Sequence, residues 1–93
     1  MSGVDADPEA LRLLAERLSA AAEGLTQTHA ALQSGHESVA ATWRDEKYRA
    51  FEEIFHESLG QLRRLTGDMT HTAAYLRRKA GPLDDYLARR GYR

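Results

Sequence analysis

Residues 41–51 read Ala-Thr-Trp-Arg-Asp-Glu-Lys-Tyr-Arg-Ala-Phe and lie near the middle of a chain of 93 residues. The only Trp, Trp43, stands between Thr42 and Asp45, two residue types that cap helix starts. Either Thr42 caps with Asp45 answering as the capping-box acid, or Asp45 is itself the cap. On both sides of this stretch apolar residues recur at helical spacing. Before it, Leu11, Leu14, Leu18, Ala21, Leu25, Thr28, Leu32, Gly35 and Val39 alternate three and four apart, a heptad-like seam. After it, Tyr48, Phe51, Phe55, Leu59, Leu62, Leu65, Met69, Ala73, Leu76, Ala80 and Leu83 form one stripe, flanked by Ile54 and Thr66. Two long helices joined by so short a connector fold back as an antiparallel hairpin.

The punctuation farther out sets the limits. Asp7, Pro8 and Glu9 read as a cap, a first helical position and a first-turn acid. Gly24, Thr28 and Ser34-Gly35-His36 are the weak points of the first helix, the last a place for it to fray. Gly81-Pro82 suits a helix end followed by a short C-terminal helix, with a kinked continuation of the second helix as the alternative. The predicted organisation is one domain over residues 1–93: helix 1 about 8–40, a turn about 41–45, helix 2 about 45–80 and a tail 81–93. Centring the turn at residues 42–43 pairs position i with about 85 − i, so Leu25 faces Gly60, Leu18 faces Gly67 and Leu11 faces Ala74. Gly60 and Gly67 then leave room for leucines.

Composition agrees with helix. Apolar residues make up 42%, but Ala accounts for 15 of them, and Leu, Val, Ile and Phe together supply only 17. That is thin for a self-sufficient core, and poor in the β-branched residues that strands favour. Net charge is −1 and Cys is absent, which removes disulfides, thiolate nucleophiles and thiolate metal sites. No apolar run approaches the roughly 20 residues of a membrane span. The acidic start Met-Ser-Gly-Val-Asp lacks the basic and apolar regions of a Sec signal, so any export is expected by another route. The second stripe is apolar on more sides than one partner helix covers. The expected fold is therefore all-α, an antiparallel two-helix hairpin dimerising into a four-helix bundle, with Leu18, Leu25, Phe55, Leu62 and Met69 buried.

Trp43 in a turn between two heptad helices, with the aromatic Phe51 eight residues later, resembles the WXG family of small helical hairpins, the substrates and partners of type VII secretion systems. The likeness covers about residues 8–83. It implies a non-enzymatic protein acting through dimer formation and helix–helix binding. The implied partners are a second copy or a paralogous chain, with a secretion ATPase or larger effector beyond. It also implies a cytoplasmic location before Sec-independent export. Two positions depart from the family pattern. Asp45 stands where the family has the Gly of Trp-x-Gly, an exchange both residues' capping ability tolerates. The family's Tyr-x-x-x-(Asp/Glu) export signal is not found after helix 2: Lys79 follows Tyr75 at the fourth place, Arg90 follows Tyr86, and Tyr92 has no fourth successor in the sequence. The only match is Tyr48 with Glu52, at the start of helix 2. The chain then travels with a signal-bearing partner or serves a diverged role.

The partner-binding residues expected from the stripe and the turn are Trp43, Asp45, Tyr48, Phe51, Phe55, Leu59 and Leu62. Trp43 either plugs its own hairpin or is presented as an interface anchor. Residues 1–62 carry a net charge of −6 and residues 63–93 a net +5. A basic end beside Asp5, Asp7, Glu9 and Glu16 is read as internal complementarity rather than a nucleic-acid patch. The expected register places His29 opposite His56, with Glu52 and Glu53 a turn away. Zinc needs three or four converging ligands, so solvated histidines or a weak pH effect of the paired imidazoles are read before a metal, and no metal or other cofactor is expected. No phosphate loop, nucleophile elbow or acid pair appears, and a hairpin offers no enclosed pocket for a small-molecule substrate. The readings from other classes are an intracellular adaptor or chaperone-like module masking an amphipathic client helix, and a basic-tailed nucleic-acid binder.

Overall fold

The computed structural model describes residues 6–89 and is all-α among them. Helix α1 spans Pro8–Thr42 and α2 spans Lys47–Arg89. They pack antiparallel into a rod of 70 × 20 × 12 Å. At about 1.5 Å rise per residue, the 43 residues of α2 nearly account for that length. Asp7 starts α1 as expected: its backbone is extended and its carboxylate accepts the Glu9 N–H at 3.0 Å. Trp43 ends α1 with extended backbone, and its N–H still reaches the Val39 carbonyl at 2.9 Å.

Helix α1 holds through its weak point, and at Gly81-Pro82 the structure takes the alternative of a continued helix. Helix α1 does not fray at Ser34-Gly35-His36, because His36 packs its ring against Phe55 and Tyr48 of α2. Helix α2 does not stop at Gly81-Pro82 but runs on to Arg89, so the segment after Pro82 is a continuation and not a separate helix. Pro82 has no N–H for the carbonyl one turn back. Tertiary contacts carry the helix past that loss. Leu83 lines a groove with Leu11 of α1, and Asp84 pairs with Arg12. Arg90 to Arg93 lie outside the described residues.

The interior is a line of small residues. Fully or nearly buried are Ala15 and Ala22 on α1 and Leu59, Ala73 and Ala80 on α2, with Pro8 at the open end. Extending these lines by sevens adds His29, His36 and Trp43 on α1 and Thr66 on α2, all half-buried. The large side chains expected inside, Leu18, Leu25, Phe55, Leu62 and Met69, are only half-buried. The expected seam is therefore rotated. Ala15 follows Leu11 by four residues and Leu59 follows Phe55 by four, which is about 40° around each helix.

The register also shifts. His29 meets Arg63 at 3.5 Å where His56 was expected, and Ser19 accepts from Arg77 at 3.0 Å where the expected partner was Thr66. The turn occupies 43–46, later than assumed. Side chains on both helices also lean toward their own N-termini, which moves each meeting pair farther along α2. Gly60 and Gly67 are not points of close approach: a methyl group at either would meet nothing within 4 Å. Gly67→Ala should consequently stabilise the chain by about 1 kcal/mol, the helix-propensity difference, read as a higher midpoint in urea unfolding. A lower midpoint would show that another helix lies against Gly67.

Candidate partner-binding site at the turn

The turn is organised by one carboxylate oxygen. Asp45 Oδ1 accepts the backbone N–H of Lys47 at 3.0 Å and the Trp43 indole N–H at 2.7 Å. The Asp45 carbonyl accepts the Tyr48 N–H at 3.2 Å. Asp45 therefore caps α2 and at the same time fixes the direction of the indole, the second of which a Gly cannot do. Arg44 donates to the Ala41 carbonyl at 3.0 Å, placing a cation at the negative end of α1.

Behind the indole runs a ladder of rings. Trp43 meets Tyr48 edge-on, with centroids 5.5 Å apart, and lies 5.3 Å from Phe51. Phe51 stacks on Phe55 at 5.5 Å, and Phe55 on His36 at 4.9 Å with planes only 7° apart. Tyr48, Phe51 and Phe55 share a face because they are three and four apart on a helix. The Tyr48 hydroxyl donates to Glu52 at 3.2 Å and lies 3.1 Å from His36 Nε2. Burial of the phenol, followed by its hydrogen bond to Glu52 and the charge of that carboxylate, holds the Tyr48 hydroxyl above its usual pKa range and protonated.

The seven residues expected to bind a partner fall into three groups. Trp43, Asp45, Tyr48, Phe51 and Phe55 converge at the tip, where Trp43 is half-buried: one face packs inward and the rest meets solvent. Leu62 lies half-exposed along the rod. Leu59, at 6% exposure, belongs to the hairpin's own interior. His36 was missed. Its sequence signal was the sevenfold spacing Ala15, Ala22, His29, His36, Trp43, which marks the inner line of α1.

The expected charge pairing takes another form. Among the described residues no arginine or lysine of the basic end pairs with Asp7, Glu9 or Glu16. The ion pair there runs the other way, from Arg12 of α1 to Asp84 of α2. Asp5 lies outside the described residues.

Among the described residues the chain is a helical rod that ends in a capped, ring-backed indole. The family described as proteins of 100 residues with WXG has a model that matches residues 3–86, and the chain belongs to that WXG100 family. It is a small helical protein of the type VII secretion kind. Proteins of this family are small, helical and secreted, are not known as enzymes, and typically pair with one another. No curated protein and no solved structure matches the chain. No helix among the described residues is long and apolar enough to cross a membrane.

Proposed function

We propose that the chain is a non-enzymatic subunit of a four-helix bundle, pairing with a second copy or a paralogue, and that the bundle is carried to a type VII-like secretion machine. The observation that carries this reading is the mismatch between small and large apolar residues. The hairpin encloses alanines and Leu59, while the larger side chains stay partly in water. Leu11, Leu18, Leu25, Leu32 and Val39 fall every seven residues on α1. Tyr48, Phe55, Leu62, Met69, Leu76 and Leu83 do so on α2. Sevenfold columns of this kind are what a second hairpin covers in bundle packing. Ile54 at 67% and Leu65 at 49% exposure extend the uncovered surface.

The tip with Trp43 is the surface offered to a secretion ATPase or larger effector. The Tyr48–Glu52 pair is no free export signal, since its two side chains bond each other in the ring ladder. Light scattering on the lone purified chain tests the reading. The expected mass is twice the 10.4 kDa of one chain, about 21 kDa. A helical but non-cooperatively melting monomer would indicate an obligate paralogue. A cooperatively folded monomer at micromolar concentration overturns the pairing.

A further inference from the structure

We propose that the hairpin carries a divalent transition-metal site of the zinc class, formed by His36 of α1 with Glu52 and His56 of α2. The shifted register brings these three together. His36 Nε2 lies 3.9 Å and His56 Nε2 lies 3.7 Å from the same Glu52 oxygen, Oε2. One ligand atom from each residue falls within 4.8 Å of the other two. In a tetrahedral zinc site with bonds near 2.0–2.1 Å, neighbouring donors stand about 3.4 Å apart. Each histidine is thus a fraction of an ångström from its place beside the carboxylate. His56, whose side chain is 64% exposed, is free to turn inward and close the remaining gap.

The donor chemistry selects the ion. Two imidazoles and one carboxylate suit zinc, nickel or copper and disfavour calcium and magnesium, which prefer all-oxygen shells. Three protein donors leave one position for water or a further ligand. The surroundings hold the donors in place. Phe55 stacks flat on the His36 ring, and the Tyr48 hydroxyl donates to the Glu52 oxygen that faces both histidines. Supporting contacts of this kind orient metal ligands. With metal bound, the Tyr48 hydroxyl keeps its bond to Glu52 and gives up its contact with His36 Nε2, which turns to the ion. The site joins the two helices directly behind the Trp43 ladder, so occupancy locks the geometry of the tip. The inference stands on the hairpin alone and does not depend on the pairing proposed above.

The test titrates ZnCl2 into the full chain, free of any affinity tag, in a non-coordinating buffer at pH 7.5, followed by calorimetry and thermal melting. One zinc per chain is expected. At a hundredfold excess over Kd the melting temperature should rise by roughly 10–20 °C. Cobalt in place of zinc should give the visible absorption of a tetrahedral ion. His56→Ala should leave the metal-free melting temperature within about 2 °C, because that ring is exposed, yet abolish the rise. Glu52→Gln should weaken binding at least about tenfold. His29→Ala and His71→Ala should bind as the parent does. No binding below millimolar zinc, binding that survives His56→Ala, or a stoichiometry of one zinc per two chains each overturns the site.

Discussion

Leu59→Ala is expected to cost about 2–5 kcal/mol in urea unfolding, the range for large-to-small changes in a core. Leu59 is the one large apolar side chain among the nearly buried residues, at 6% exposure, in a line otherwise made of alanines. The alanines cannot collapse into the space it leaves, so most of the cavity persists. Leu62→Ala is the informative comparison. In the hairpin alone Leu62 is half-buried, and its truncation should cost about half as much, scaled by the apolar area it shields. If a second hairpin covers the column of Leu62 and Met69, the loss rises to the full core range and grows as the protein is diluted. A Leu62 loss that stays small and independent of concentration would place the partner on the Ile54 and Leu65 face instead.

What could be read from the sequence was what local chemistry decides. Asp7, Pro8 and Glu9 mark the start of α1 because a cap needs only its next two or three residues. Trp43 and Asp45 mark the turn for the same reason. The two-helix fold followed from uninterrupted heptad spacing on both sides. The rotation of the helices was not readable, because Leu11 and Ala15 are both apolar and differ by only about 40° in direction. Leucine is the stronger apolar signal and points to the leucine column as the inner one, whereas close packing of two long helices uses the alanine column. The register depended on the turn centre, and an error of two residues there displaced every later pair. That displacement set His29 beside His56 and hid His36, and with it the grouping of His36, Glu52 and His56. The continuation through Pro82 could be read from the sequence only as one of two alternatives, for a related reason. A proline's local cost is visible in sequence, whereas the Arg12–Asp84 pair and the Leu11–Leu83 groove that offset it are long-range.

Trp43→Ala should lower stability by about 2–3 kcal/mol, less than the roughly 3–5 kcal/mol of a fully buried large aromatic, and leave helicity nearly unchanged. The lost part is the face packed on Tyr48 and Phe51, together with the 2.7 Å bond from the indole to Asp45. Asp45 variants separate these contributions. Asp45→Asn keeps an oxygen at the same place, so both the cap and the indole bond persist and stability should move by less than about 0.5 kcal/mol. Asp45→Gly, which restores the family's Trp-x-Gly, keeps helix-start geometry but frees the indole. It should cost about 1 kcal/mol, the net worth of a hydrogen bond, where capping alone would cost only a few tenths. In a double-mutant cycle Trp43→Phe and Asp45→Gly should then be non-additive by about 0.5–1.5 kcal/mol, because each removes the same bond. Strict additivity would mean that the indole N–H is satisfied by water and that Asp45 acts only as a cap. For partner capture the order differs: Trp43→Ala should abolish it, while Asp45→Gly should slow it by leaving the exposed part of the indole free to turn. A Trp43→Ala protein that keeps its stability, its pairing and its capture by a secretion partner would remove the tip from the function altogether.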